Sequence, residues 1–341
     1  MPSVIEAVCL TTIVVLTIIS SFTEVPLQVN ITCFSLSIII AGAYRSVDEL
    51  MKEFKKIHVD KKSGGDSGVE TMTKDEVQQF PLYAGGMLCA MYGLIKYFGK
   101  EVVNPILLAY MGFAGGESVK PILSGITGGA TDKYQEKKIC HLKFDMIGLD
   151  LEITVLDIFC LIISYAMVGI YVLTKNWIYN NVLAIGMCVN AIQMIFLGNF
   201  KNGFLLLVAL FFYDIFFVFG TDVMLTVAKS IDAPIKLLFP TDWAALNEET
   251  GDPEPKFSLL GLGDIVIPGV FMALCLRFDI IKTLDASKVN RLCESGEEQD
   301  VLKMIGKAAA TASTPYFYGS CIGYLLAIMT TVIIMKIFDH G

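Results

Sequence analysis

Two acidic residues sit where acids are costly. Asp214 lies inside Phe-Phe-Tyr-Asp-Ile-Phe-Phe (211–217), and Asp264 follows Gly261-Leu262-Gly263; both stretches belong to apolar runs with the character of membrane helices. A charged acid at the centre of a bilayer costs about 2.5–3.5 kcal/mol even on lenient insertion scales. Two such acids close in sequence therefore call for a reason. Two carboxyls held about 3 Å apart cannot both ionise, so they share one proton. The charged partner can then act as general base on a water while the protonated partner polarises a carbonyl. That chemistry hydrolyses a peptide bond without a nucleophilic Ser or Cys and without a metal. No H-E-x-x-H is present, and no helical run carries G-x-S-x-G. The competing reading is a proton-coupled transporter with the acids as a relay, although no inverted repeat of broken helices is evident.

Composition supports a membrane setting. Of 341 residues, 54% are hydrophobic and 18% charged, with mean hydropathy +0.62; a soluble chain carries about 25% charged residues. Several apolar runs approach the length needed to cross a bilayer. Net charge is −8 and no basic block occurs, which argues against nucleic acid as a partner. The nine cysteines form no C-x-x-C pair, and His58, His141 and His340 are scattered and read as solvated. No metal site and no cofactor is implied.

The elements that must position the acids follow from the hydropathy pattern. A run at 4–21 carries Glu6 and no preceding Lys or Arg; it reads either as a signal-like segment or as the first arm of a helical hairpin with the run at 25–44. Asn30-Ile31-Thr32 matches a glycosylation sequon and reads as unused. Further runs lie at 80–97 with Pro81 in its first turn, 102–122 interrupted by Gly112, Gly115 and Gly116, and 153–174 and 177–196 joined by Lys175-Asn176. The run at 203–225 carries Asp214, that at 257–278 carries Asp264, and the last spans 315–338. Polar loops are expected at 45–79, flexible around 62–68, and at 124–144, 226–256 and 279–314. Asp222, Asp279, Asp157 and Glu152 sit at helix ends and read as interfacial. At 1.5 Å per residue, Asp214 and Asp264 lie about 16 Å and 10 Å from the same side of the membrane. Counting eight helices from 25–44, alternate loops hold nineteen Lys and Arg residues and the others six. Positive loops stay cytosolic, which puts the loop between the two acids on the luminal or exterior side.

Tyr213-Asp214 together with Gly261-Leu262-Gly263-Asp264 resembles the Y-D and G-x-G-D signatures of presenilin-type proteases. The surrounding 213–221, Val227-Ala228-Lys229-Ser230, Ala233-Pro234-Ile235-Lys236-Leu237 and 260–269 resemble the signal peptide peptidase family closely, and the likeness runs from about 41 to the C-terminus. The resemblance implies an all-α polytopic membrane protein, an intramembrane aspartyl protease of the endoplasmic reticulum with Asp214 and Asp264 catalytic. It gives Tyr213, Gly261, Leu262 and Gly263 as active-site support. The implied partners are signal peptides and type II transmembrane segments cut within the lipid bilayer, and a second copy in a homo-oligomer. Three segments are expected: an N-terminal apolar piece at 1–24, helices one to five at 25–200, and the acid-bearing helices six to eight at 201–341. The family's ninth helix opens with P-A-L just after the last run seen here. None of the eleven prolines sits in P-A-L, so that helix is expected to be missing from these 341 residues. A non-catalytic, substrate-binding form is the corresponding alternative.

Overall fold

Why the chain forms a bundle is visible in where its large apolar side chains point. The computed structural model describes residues 4–23, 25–62, 71–128, 138–144, 149–231, 233–241, 257–284 and 298–337. Its helices are α1 (Val4–Phe22), α2 (Leu27–Lys62), α3 (Lys74–Phe98), α4 (Lys100–Gly128), α5 (Val155–Thr174), α6 (Trp177–Met194), α7 (Phe200–Asp214), α8 (Val223–Ser230), α9 (Gly263–Thr283), α10 (Glu298–Thr311) and α11 (Pro315–Ile337). Many large apolar residues face outward, among them Leu82, Tyr97, Ile106, Leu173, Phe204 and Leu326. Such a surface suits hydrocarbon, where the backbone must be satisfied within each helix. Leu27–Met51 and Phe200–Val218 are long and apolar enough to cross a bilayer, and Ile5–Ser21 and Ile158–Thr174 are shorter apolar helices.

The main core lies where α2, α6 and α9 meet. Ile192 of α6 is keyed between two glycines. A Cβ at Gly42 would stand 2.9 Å from the Ile192 Cβ, and one at Gly269 would stand 2.6 Å from its Cδ1. Small residues of this kind let membrane helices approach closely enough for dispersion to hold them. Gly112, Gly115 and Gly116 do the same for α4, admitting Val168, Leu183 and Tyr165. They were expected to interrupt that helix; instead α4 runs through them, because close packing against α5 and α6 outweighs their poor helix propensity.

The 4–21 segment is a helix of the bundle. Cys9, Leu10 and Ile13 join the main core. Buried Glu6 accepts from Arg45 Nη1 at 3.0 Å, and the same guanidinium donates to Gln193 and to the Pro121 carbonyl. One side chain thus joins α1, α2, α4 and α6. Near the other end of α1, Asn30 Nδ2 donates to Ser20 Oγ at 2.9 Å, and both residues are buried. The sequon asparagine is therefore engaged in helix packing.

Several boundaries differ from the sequence expectation. Pro81 lies well inside α3, which starts at Lys74 behind a capping box made by Thr73 and Glu76. Residues 138–154, assigned to a loop and a helix start, form the antiparallel pair β1 (Lys138–Phe144) and β2 (Leu149–Thr154). The strict alternation Leu149-Asp150-Leu151-Glu152-Ile153-Thr154 is a strand signal, and Glu152 belongs to β2 rather than to a helix end. A second pair, β3 (Lys236–Pro240) and β4 (Phe257–Gly261), lies between the two acids. Asp279 is buried, not interfacial; its carboxylate accepts from the Phe317 N–H at 3.0 Å and so caps α11 from a neighbouring helix. Arg277 lies within α9, buried with its guanidinium 4.4 Å from the centre of the Phe196 ring. His340, Cys293 and, of the stretch at 62–68 expected to be flexible, residues 63–68 lie outside the described residues, as do the side chains of His58, His141, Cys140 and Asp157.

Gly42→Ala is expected to lower stability by about 1–3 kcal/mol, because its methyl meets the Cβ of Ile192 rather than a mobile side-chain end. Thermal unfolding in detergent micelles measures the loss, and most of it should disappear in an Ile192→Ala background.

Candidate active site

Asp214 is the last residue of α7, and the backbone changes immediately after it. Residues Ile215–Phe219 form a single π-helical turn, ending at Gly220. A Cβ at Gly220 would stand 2.5 Å from the Phe216 carbonyl, so only glycine fits this exit. The sequence reading carried α-helix unbroken from 203 to 225 and missed the wide turn. Gly220 was the available signal. Isolated π turns inside helices recur at functional sites.

Asp264 stands in the first turn of α9. The residues before it, counted as helix in the depth arithmetic, are β4 and a tight turn, so the 10 Å offset does not apply. Gly261 ends the strand, Leu262 packs into the core and caps the helix, and Gly263 begins it. The two glycines differ. A Cβ at Gly261 would lie 3.3 Å from Asp264 Oδ2, whereas one at Gly263 would face open space apart from the tip of Ile267. The first glycine makes room for the carboxylate and the second leaves the approach to it clear.

Helices α7 and α9 touch, and a Cβ at Gly203 would stand 2.8 Å from the Phe271 ring. Asp214 and Asp264 lie within electrostatic reach of each other, and both are on the open side of the bundle rather than in its packed core. Tyr213 packs against α3. Its ring lies 4.6 Å from that of Phe217, and a Cβ at Gly85 of α3 would be 3.0 Å from Phe217 and 3.7 Å from Tyr213. Gly85 thus gives the aromatic pair beside Asp214 its place, a role sequence reasoning did not assign.

The chain between the acids is braced once within itself and strapped to the bundle at three points. Lys236 Nζ donates to the Ala228 and Ile231 carbonyls and so holds the end of α8. Asn104 Nδ2 donates to the Ser230 carbonyl from α4. From α6, Asn181 both accepts from the Leu238 N–H and donates to the Leu238 carbonyl, each at 2.8 Å. Beside it, Asn180 donates to the Lys236 carbonyl at 2.8 Å. The two amides act as an extra strand along β3, and the β3–β4 ladder carries that placement to Gly261. Adjacent asparagines at the start of an apolar helix are the sequence signal of this grip.

A polytopic helical membrane protein with a carboxyl pair at a π turn and a strand-to-helix turn is the class these features define. The comparisons narrow it. The signal peptide peptidase family profile matches residues 64–341. The chain is similar to signal peptide peptidase of Mus musculus, 34% identical over 291 residues covering 80% of this chain and 66% of that protein. The human protein of the same name is likewise 34% identical, over 282 residues with the same coverage. Intramembrane protease 2 of Caenorhabditis elegans is 40% identical over 182 residues, which cover 53% of this chain and 35% of that protein. The chain belongs to the signal peptide peptidase family. It spans 66% of the length of the mouse and human relatives, and no solved structure matches it.

Asn181→Leu is expected to leave the Leu238 N–H and carbonyl without their partners, at a cost of about 1–3 kcal/mol for each group. The Leu238 amide should then exchange with deuterium at least about tenfold faster than in the unaltered protein, while amides of α2 keep their rates.

Proposed function

We propose that this chain is an intramembrane aspartic endopeptidase in which Asp214 and Asp264 share one proton and activate a water. The observation that carries the reading is the placement of the two carboxyls: each at a break in regular helix, on touching helices and exposed. One carboxylate takes a proton from the attacking water while the other carboxyl donates a hydrogen bond to the scissile carbonyl. Roles then reverse as the amine leaves. No covalent intermediate and no metal enter this scheme. Family membership supports the same chemistry, and the relatives' names point to signal peptides and membrane-embedded segments as substrates.

The substrate must present unwound backbone, because intact helical hydrogen bonds conceal the scissile carbonyl. Open space at Gly263 suits such a strand-like approach. An endoplasmic-reticulum location and a luminal loop between the acids are part of the proposal. They are supported by the loop charges, since setting aside Arg45, whose guanidinium is bonded within the bundle, and buried Arg277 leaves seventeen cations against six. Tyr213, Gly261, Leu262 and Gly263 support the site by shape: packing beside Asp214, room for the Asp264 carboxylate, and the turn into α9.

The decisive experiment reconstitutes the 341-residue chain in liposomes with a type II signal-peptide substrate. Asp214→Ala and Asp264→Ala should each abolish cleavage while the folded protein persists, and undiminished cutting by either variant would reject the assignment. Proton flux in sealed vesicles without proteolysis would favour the relay instead. Replacing helix-breaking residues of the substrate by Leu should slow its cleavage, read by product formation over time.

A further inference from the structure

Pro268 removes a hydrogen bond that the first turn of α9 would otherwise make. In an α-helix the carbonyl of each residue accepts from the N–H four residues on. For Asp264 that residue is Pro268, which has no N–H. A carbonyl without a partner inside a membrane bundle is costly. Another helix supplies the donor. Tyr324 of α11 donates its phenolic O–H to the Asp264 backbone carbonyl at 3.2 Å. The ring packs against the main core. Helices α9 and α11 therefore meet at the backbone of one candidate catalytic residue.

We propose that Tyr324 is a positioning residue for Asp264. Its phenol replaces the donor that Pro268 deletes, fixes the first turn of α9, and so sets the direction in which the Asp264 carboxyl points. The proposal rests on the reading of Asp214 and Asp264 as the proton-sharing pair. Phenylalanine at this place would fill the same space and leave the carbonyl bare. Tyr324 makes its bond to the backbone rather than to the carboxyl or to substrate. Its loss should therefore reduce turnover and leave substrate binding alone.

Two measurements on the full 341-residue chain test this. The first is a double-mutant cycle on thermal stability in detergent micelles. Tyr324→Phe should lower the unfolding midpoint. In a Pro268→Ala background, where residue 268 regains its N–H, the same change should lower it by less than half as much. The second is steady-state cleavage in liposomes, where Tyr324→Phe should reduce kcat about tenfold with KM unchanged, the worth of one net hydrogen bond. Equal stability losses in both backgrounds would overturn the bond. A coupled stability loss with unchanged kcat, or with a change in KM alone, would overturn the positioning role. If the unaltered chain cleaves nothing, the protease reading fails, and the stability cycle still decides whether Tyr324 substitutes for the missing donor.

Discussion

The seating of Ile192 between Gly42 and Gly269 is the contact on which the rest of the bundle depends. It brings α2, α6 and α9 to a spacing that larger residues would forbid. Within a bilayer, apolar surface alone gives helices no reason to associate, so close packing and polar contacts must hold them. Both are present around this seat. The Arg45 guanidinium ties α1, α2, α4 and α6 together one turn from Gly42, and Asp279 closes the start of α11 at the far end of α9. A buried ion pair returns little net stability, yet breaking one is expensive. Such groups are better understood as fixing which helices meet than as adding to the strength of the whole.

The candidate site inherits its geometry from that core. Helix α9 carries Gly269 near the seat and Asp264 in its first turn, so the placement of one constrains the other. Helix α6 carries Ile192 and, at its opposite end, the asparagines that grip β3. The connection between the acids is thus held by the same helix that anchors the core. Asp214, by contrast, hangs on α7, whose outer face is largely apolar and open and which meets α9 where Gly203 faces the Phe271 ring. The helix that carries Asp264 belongs to the packed centre, and the helix that carries Asp214 to the periphery.

The sequence made the acids conspicuous because hydropathy gives the cost of a charge in an apolar run directly. It also revealed most helical runs, since their length and composition suffice to identify them. Three kinds of feature were hidden. Helix ends were misjudged where polar turns belong to the helix, as with Lys74–Pro81 of α3. Strands β3 and β4 were absorbed into a loop and a helix because a short apolar stretch such as Phe257–Gly261 satisfies either pattern. Long-range polar contacts left no local trace. Nothing near Asp279 announces Phe317, and nothing near Asn181 announces Leu238, since these pairings exist only once helices are assembled.

The π turn after Asp214 has a consequence for phase. A turn that holds one residue too many puts everything beyond it about 100° out of step with the α-helix before it. Taking a single residue out of 215–219 would let the segment relax into ordinary α-helix, and the two halves would come into register. The stretch from Phe200 to Phe219 would then be one regular rod, and Asp214 would face a different quarter of the bundle relative to the residues that follow it. The aim of this acid is therefore encoded in the number of residues that follow it as well as in their kinds.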